Sequence, residues 1–348
     1  MGATLNAFSC IGKCFTINPQ RFWLVLVCQL ISSLSVPFIQ SIPAHVARIW
    51  FPKEQVSRAT SIGILAMFIG VSLGSILPSL IVPLNSNKIA IACGLSKLMI
   101  GEAIIATILF LLIVVWFEEK PKHPPSYSQL KADSMRASTS LSSSLKLILS
   151  NKCFVLLLIY FGLSGAVFNS LLILLNEIIF RFYKNAGQYP GISGLTIGIS
   201  VVIGTYFYGF VLDKTKMYKK VIFIFGLLSI LSLFSFEFVL SHQNMSLFVI
   251  ASALLGFFSS AFGSVGFNFG AELTYPVSEG VTGGFLVLSA QTMSAVYSLI
   301  CSFSLNHYGV TTTLIMSAIV ISVALFAAIF IKSNLRRQEA ENECLLAD

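Results

Sequence analysis

The sequence predicts an all-α integral membrane protein, and three observations carry that expectation. Hydrophobic residues make up 56% of the 348 positions and charged residues only 10%. The mean hydropathy is +0.87. Apolar stretches recur from end to end, separated by short polar connections holding most of the Lys and Arg. A soluble domain carries about 25% charged residues, whereas a hydrocarbon layer about 30 Å thick calls for about 20 apolar residues per crossing helix.

Taken in order, residues 2–17 are apolar but too short for a comfortable span. No basic start followed by an apolar stretch and a small-residue cleavage site marks a signal peptide, and the chain reads as starting partway through a helix. Nine crossings follow, at 22–47, 59–83, 98–117, 153–180, 193–212, 221–241, 247–270, 283–305 and 310–331. The polar stretch Glu118–Asn151, rich in Ser, Pro and Lys, reads as a flexible linker between two helical bundles.

Orientation follows from sorting the 22 Lys and Arg residues onto alternate sides of these crossings. Sixteen fall on one side, in the groups Arg48–Arg58, Lys120–Lys152, Lys214–Lys220 and Lys332–Arg337; the other six are Lys13, Arg21, Lys88, Lys97, Arg181 and Lys184. Basic residues of short loops stay on the cytoplasmic side, so the linker and the C-terminal tail are expected there. The net charge of +8 is thereby spent on membrane orientation and gives no basic face for nucleic acid. The seven cysteines lie scattered without a CxxC pair, which supports neither a disulfide framework nor a zinc site. Gly70-Val71-Ser72-Leu73-Gly74 spells a nucleophile elbow by chance, with no strand before it. No enzyme, metal or cofactor is expected.

Several segments bear on function. After the helix ending at Val211, Gly209 and Asp213 precede Lys214, Lys216, Lys219 and Lys220 in a tight loop, which resembles the loop signature of the major facilitator superfamily. The stretches Ile49–Ser57, Phe117–Ser126, Ala271–Gly280 and Leu335–Gln338 are similar to those of the feline leukaemia virus subgroup C receptor family, a branch of that superfamily. The resemblance implies a transporter of twelve helices in two bundles, working by alternating access on a pocket between them. Choline or ethanolamine is the implied substrate, with haem as an older assignment. It also aligns Gly2–Phe15 with the family's third helix, so that about nine or ten of twelve helices are expected here: an incomplete bundle at 1–117, a linker at 118–152, a six-helix bundle at 153–332 and a tail at 333–348.

Site residues carried over by the resemblance are Gln291 for the eleventh-helix glutamine, Phe68 at the fifth-helix glutamine position, and Phe168 or Asn169 at the seventh-helix aromatic position. A quaternary ammonium is recognised by ring faces worth about 0.5–2 kcal/mol each. Gln291 has the alternative of an interhelical hydrogen bond. Haem would favour an axial His, Cys or Met, and only His45 of His45, His123, His242 and His307 falls within a predicted helix, where a packing role is the ordinary one.

Other polar residues at membrane depth invite weighing. Glu102, expected early in a helix starting near Leu98, reads as an interfacial ion pair with neighbouring Lys97, with proton coupling as the alternative. Glu177 and Arg181, spaced i and i+4, read as a pair or as an external gate. Asn268, Glu272 and Glu279 leave an acidic inner loop that is expected to latch onto the lysine loop at 214–220, with Asp213 and Lys214 counted among the gating residues. Glycine pairs at four-residue spacing, Gly70 and Gly74, Gly194 and Gly198, Gly280 and Gly284, are expected to let helices approach closely.

Two address signals complete the reading. Asn244-Met245-Ser246 is a glycosylation sequon on the side assigned as outer, in a loop short enough to hide it. Glu341-Asn342-Glu343-Cys344-Leu345-Leu346 matches an acidic dileucine pattern, implying sorting adaptors as partners and traffic between the plasma membrane and endosomal or lysosomal membranes. From a different class, the chain could be a transport-inactive receptor or regulatory isoform.

Overall fold

In lipid every backbone N–H and C=O must find its partner within the chain, and an unbroken helix does this locally. The computed structural model describes residues 1–17, 19–51, 53–82, 87–118, 147–183, 187–242, 244–274, 277 and 279–332, and these are helical almost throughout. Eleven α-helices are seen among them: α1 Gly2–Lys13, α2 Phe22–Trp50, α3 Lys53–Ile81, α4 Lys88–Trp116, α5 Lys152–Phe182, α6 Tyr189–Thr215, α7 Tyr218–His242, α8 Met245–Ser259, α9 Ala261–Thr274, α10 Glu279–Tyr308 and α11 Val310–Ile329. Seven stretches are long and apolar enough to cross a membrane, α8 with α9 counting as one, and the shorter apolar pieces Phe22–Val36 and Leu65–Ile81 add to them.

Many hydroxyls stay inside these helices by bonding a carbonyl four residues back, as Ser72 does to Phe68 and Thr107 to Ala103. Helix ends are closed by side chains. Oδ1 of Asn151 accepts from the Cys153 and Phe154 amides to cap α5, while its Nδ2 donates to the Leu273 carbonyl at the end of α9. Lys216, with φ of 54°, stops α6 in the left-handed conformation, and Lys219 donates to the Ile329 carbonyl at the end of α11.

The chain divides into two units, Met1–Ser138 and Thr139–Asp348. In the first, α1 packs against α2 and α4, and α3 against α2 and α4. Ser9 donates to the Cys28 carbonyl at 2.6 Å, and a Cβ at Gly12 would meet Cys28 Sγ at 2.7 Å, so α1 and α2 nearly touch. In the second unit α5 is the central pillar, packed against α9, α10 and α11 with Phe154, Leu157, Phe161 and Ile178 buried.

Four sequence expectations need correction. Helix α4 begins at Lys88 rather than near Leu98, because the apolar run between Lys88 and Lys97 continues the helix. The crossing expected at 247–270 is broken at Ser260 into α8 and α9. Residues 147–150, expected within the flexible linker, are helical, with Ile148 buried. Close approach also uses other glycines: Gly70, Gly74 and Gly284 have open space where a Cβ would stand, whereas Gly162, Gly165, Gly204, Gly256 and Gly266 meet neighbouring helices.

Candidate substrate site

The second unit brings together the residues expected from α5 and α10. A Cβ at Gly162 would collide with Ser289 Oγ, and one at Gly165 would lie 2.9 Å from Ala290 Cβ, so the two helices run at near backbone contact. Ser289 donates to the Leu158 carbonyl at 2.8 Å across that contact. One turn further along α5, Asn169 Nδ2 donates to Gln291 Oε1 at 3.4 Å. That is long for a hydrogen bond, which centres near 2.9–3.0 Å, and Asn169 is half-buried while Gln291 is exposed on the surface of the unit. The interhelical role weighed for Gln291 is therefore present, and it leaves Gln291 Nε2 as a donor and Asn169 Oδ1 as an acceptor side by side.

Phe168 and Asn169, left as alternatives by the sequence, face different neighbours. Phe168 turns toward Phe262 of α9, with centroids 6.0 Å apart, and Phe161 stacks edge-on to Phe262 at 5.2 Å and to Phe267 at 5.3 Å. Phe262 and Phe161 were missed from sequence; the signal available was Phe262 with Gly266 one turn on, the glycine admitting the Phe161 ring. Phe68 lies half-buried on α3 of the other unit.

At the end of α5 away from the lysine-rich loop, Arg181 donates to Glu177 at 3.0 Å and to Asn306 of α10 at 2.6 Å. The expected pair is formed, and Asn306 extends it into a clasp between the helices. In the first unit Glu102 is bound by Lys13 at 3.5 Å, and the Cys10 thiol donates to it at 3.6 Å. This corrects the expected pairing with Lys97: Glu102 stands midway along a helix of 29 residues, where α1 delivers a cation to it.

At the lysine-rich end Lys214 lies 4.5 Å above the Phe210 ring. Glu272 is buried, with Oε2 making no hydrogen bond among the described residues, and Asn268 turns back to the Ser264 carbonyl of its own helix. Among the described residues no ion pair joins Glu272 to the lysines. The side chains of Asp213, Glu279 and His45, like the dileucine segment, lie outside the described residues. His242 and His307 stand at helix ends with Nδ1 against the Phe238 and Phe303 carbonyls. Among the described residues no three His, Cys, Asp or Glu side chains gather to hold a metal, and all described cysteines are free thiols.

A polytopic helical protein in two units, with an amide pair and aromatic rings on facing helices, has the architecture of a membrane transporter. The profile of the Major Facilitator Superfamily matches residues 1–214. The fold resembles that of the E. coli fucose:proton symporter, with a TM-score of 0.57 at 16% identity over 95% of this chain and 82% of that one. Curated relatives include the choline/ethanolamine transporter flvcr2a of Danio rerio, 33% identical over 99% of this chain and 73% of its own length. The choline/ethanolamine transporter FLVCR1 of Felis catus is 32% identical over 97% of this chain and 60% of its own length, and human FLVCR2 is 30% identical over 99% and 66%. The chain belongs to the FLVCR family of major facilitator superfamily transporters. It is accordingly a multi-pass membrane protein, spanning between 60% and 73% of the length of these relatives.

Proposed function

We propose that the chain moves a small organic cation of the choline and ethanolamine class by alternating access. The observation that carries this reading is the Asn169 to Gln291 hydrogen bond, which joins an amide side chain of α5 to one of α10, with Phe168 the residue before Asn169 in α5. A substrate hydroxyl would accept from Gln291 Nε2, and a primary ammonium would donate to Asn169 Oδ1. Phe168 offers a ring face to the charge, and Phe68 is proposed as a further ring. A protonated primary amine makes fuller use of this pair than a quaternary ammonium, which has no N–H to give.

Asp213, Lys214, Glu272 and Glu279 are proposed as the conformational latch at the lysine-rich end. The burial of Glu272 with an unsatisfied oxygen supports a carboxylate awaiting a partner in another state of the cycle. Residence in the plasma membrane, with endosomal or lysosomal sorting through the dileucine tail, belongs to the same proposal. Haem export is the alternative reading; His242 and His307, the described histidines with side-chain contacts, stand exposed at helix ends.

Uptake of labelled ethanolamine and choline by proteoliposomes containing this chain tests the reading. Saturable uptake reduced at least fivefold by Gln291→Ala supports it. No uptake above empty liposomes, with the protein folded, would favour the receptor or regulatory reading.

A further inference from the structure

Lys219 Nζ donates to the Ile329 carbonyl at 2.8 Å, so the start of α7 meets the end of α11 and the two helices run antiparallel. Two turns in from Lys219 the contact continues, since a Cβ at Gly226 would stand 2.5 Å from Leu325. Leu227 and Phe326 each follow their contact residue by one position, which is about 100° round a helix in the same rotational sense. In antiparallel neighbours that turns both side chains to the same side of the seam. They belong to two exposed apolar stripes at helical spacing, Ile224, Leu227 and Leu231 on α7 and Ile319, Val323 and Phe326 on α11. Both helices are long and apolar enough to cross a membrane, so acyl chains are what lies against this seam.

At its lysine-rich end the seam gathers cations without anions. Lys220 is exposed, Lys219 half-buried, and Lys332 exposed three residues past Ile329, within about 10 Å of chain from the carbonyl that Lys219 binds. Helix α7 carries no acid before Glu237, and no Asp or Glu occurs from Val310 to Lys332. One of the three N–H groups of the Lys219 ammonium is given to Ile329, which fixes that cation at the end of a crossing helix. Basic clusters directly beside such helices attract anionic headgroups. Cations held on one side orient the chain wherever they stand along it; here three converge on one seam between two lipid-facing stripes.

We infer that the α7–α11 seam binds an anionic phospholipid of the leaflet on the lysine-rich side, the phosphate taken by Lys219, Lys220 and Lys332 and the acyl chains lying along the stripes of Leu227 and Phe326. The headgroup supplies the counter-charge that the seam lacks, and the chains cover apolar surface that already faces lipid. Phe330, two residues before Lys332, meets Phe326 edge-on at 5.3 Å and widens the apolar shelf below the headgroup. A phosphocholine headgroup carries its own ammonium and gains less from three lysines. The site stands apart from the amide pair and does not rest on the substrate reading.

The test is native mass spectrometry of the full chain in detergent, titrated with phosphatidylserine or with phosphatidylcholine of the same acyl chains, and it requires no transport. Wild type is expected to bind phosphatidylserine about fivefold more tightly than phosphatidylcholine or better. The triple variant Lys219→Gln, Lys220→Gln and Lys332→Gln is expected to bring the two lipids within about twofold of each other. Should it fail to fold, Lys220→Gln with Lys332→Gln leaves the Lys219 contact to Ile329 in place and is expected to lower the preference at least twofold. Lys122→Gln with Lys131→Gln and Lys146→Gln removes as many cations from the same side outside the seam and is expected to keep the preference; an equal loss there would mean that charge alone is at work, and would overturn the inference. Displacement of phosphatidylserine by millimolar inorganic phosphate would assign the lysines to a free anion and overturn it equally. Removal of residues 338–348, which carry Glu339, Glu341, Glu343 and Asp348, is expected to leave the preference unchanged; a preference that emerges only on that removal would make the acidic tail the occupant in place of lipid.

Discussion

Lys13 Nζ lies 3.5 Å from Glu102 Oε1, joining the last residue of α1 to the midpoint of α4. The lysine side chain is 14% exposed and the glutamate 46%, so the cation depends on the pair more than the anion does. Glu102→Ala leaves that cation poorly solvated, at a cost of about 1–2 kcal/mol, between the 0–1 of exposed pairs and the 3–5 of buried ones. The melting midpoint in detergent is expected to fall by about 3–6 °C. Lys13→Met combined with Glu102→Leu should recover most of the loss, and a double variant less stable than either single one would show that the pair does not act this way.

Substrate choice should turn on Asn169. Asn169→Tyr exchanges an amide for a ring, removing a hydrogen bond worth about 1 kcal/mol or more and adding a cation–π face of similar size. The ratio of choline to ethanolamine uptake is expected to rise about tenfold, read from paired initial rates. A ratio that stays put would remove Asn169 from the site.

Close packing of α5 on α10 makes Gly162 intolerant. A Cβ there collides with Ser289 Oγ, which already donates to the Leu158 carbonyl, and overpacking of this kind costs about 1–3 kcal/mol. Gly162→Val is expected to lower the surviving monodisperse fraction after heating, measured by fluorescence-detected size exclusion. Gly101→Val, at a position with open space where the Cβ would stand, should behave as wild type.

The sequon at Asn244 is expected to stay unmodified. Its Oδ1 accepts from the Ser246 and Leu247 amides and caps α8, holding the tripeptide in the first helical turn close to the membrane. Treatment with peptide N-glycosidase should leave gel mobility unchanged, while Asn244→Ala should cost about 1 kcal/mol through the lost cap.

How much of this was legible in the residues varies with the range of the interaction that decides it. Crossings follow from apolar length, a property of each segment alone; helices stand at all nine expected places apart from their ends, and seven of the described stretches are long and apolar enough to cross. The break at Ser260 escaped notice because apolar content runs unbroken through it; only the local crowding of Gly and Ser signals it. Glu102 was given Lys97, its neighbour in the chain, because sequence distance says nothing of which helix α1 would lie against. Phe168 and Asn169 differ by one residue and about 100° around α5, so a single alignment position could not separate the one facing α9 from the one facing α10. Neither could the sequence show that Arg181 would reach Asn306 as well as Glu177, since that contact depends on two distant helix ends meeting.

Gly309 stands alone between Tyr308, the end of α10, and Val310, the start of α11, with φ of 89°. A connection of one residue with positive φ is open to glycine and strained for any other residue, so α10 and α11 are joined by the shortest turn the chain allows there. An affinity tag or antibody epitope placed at that turn would force a side chain onto a positive φ, so insertions are better placed elsewhere.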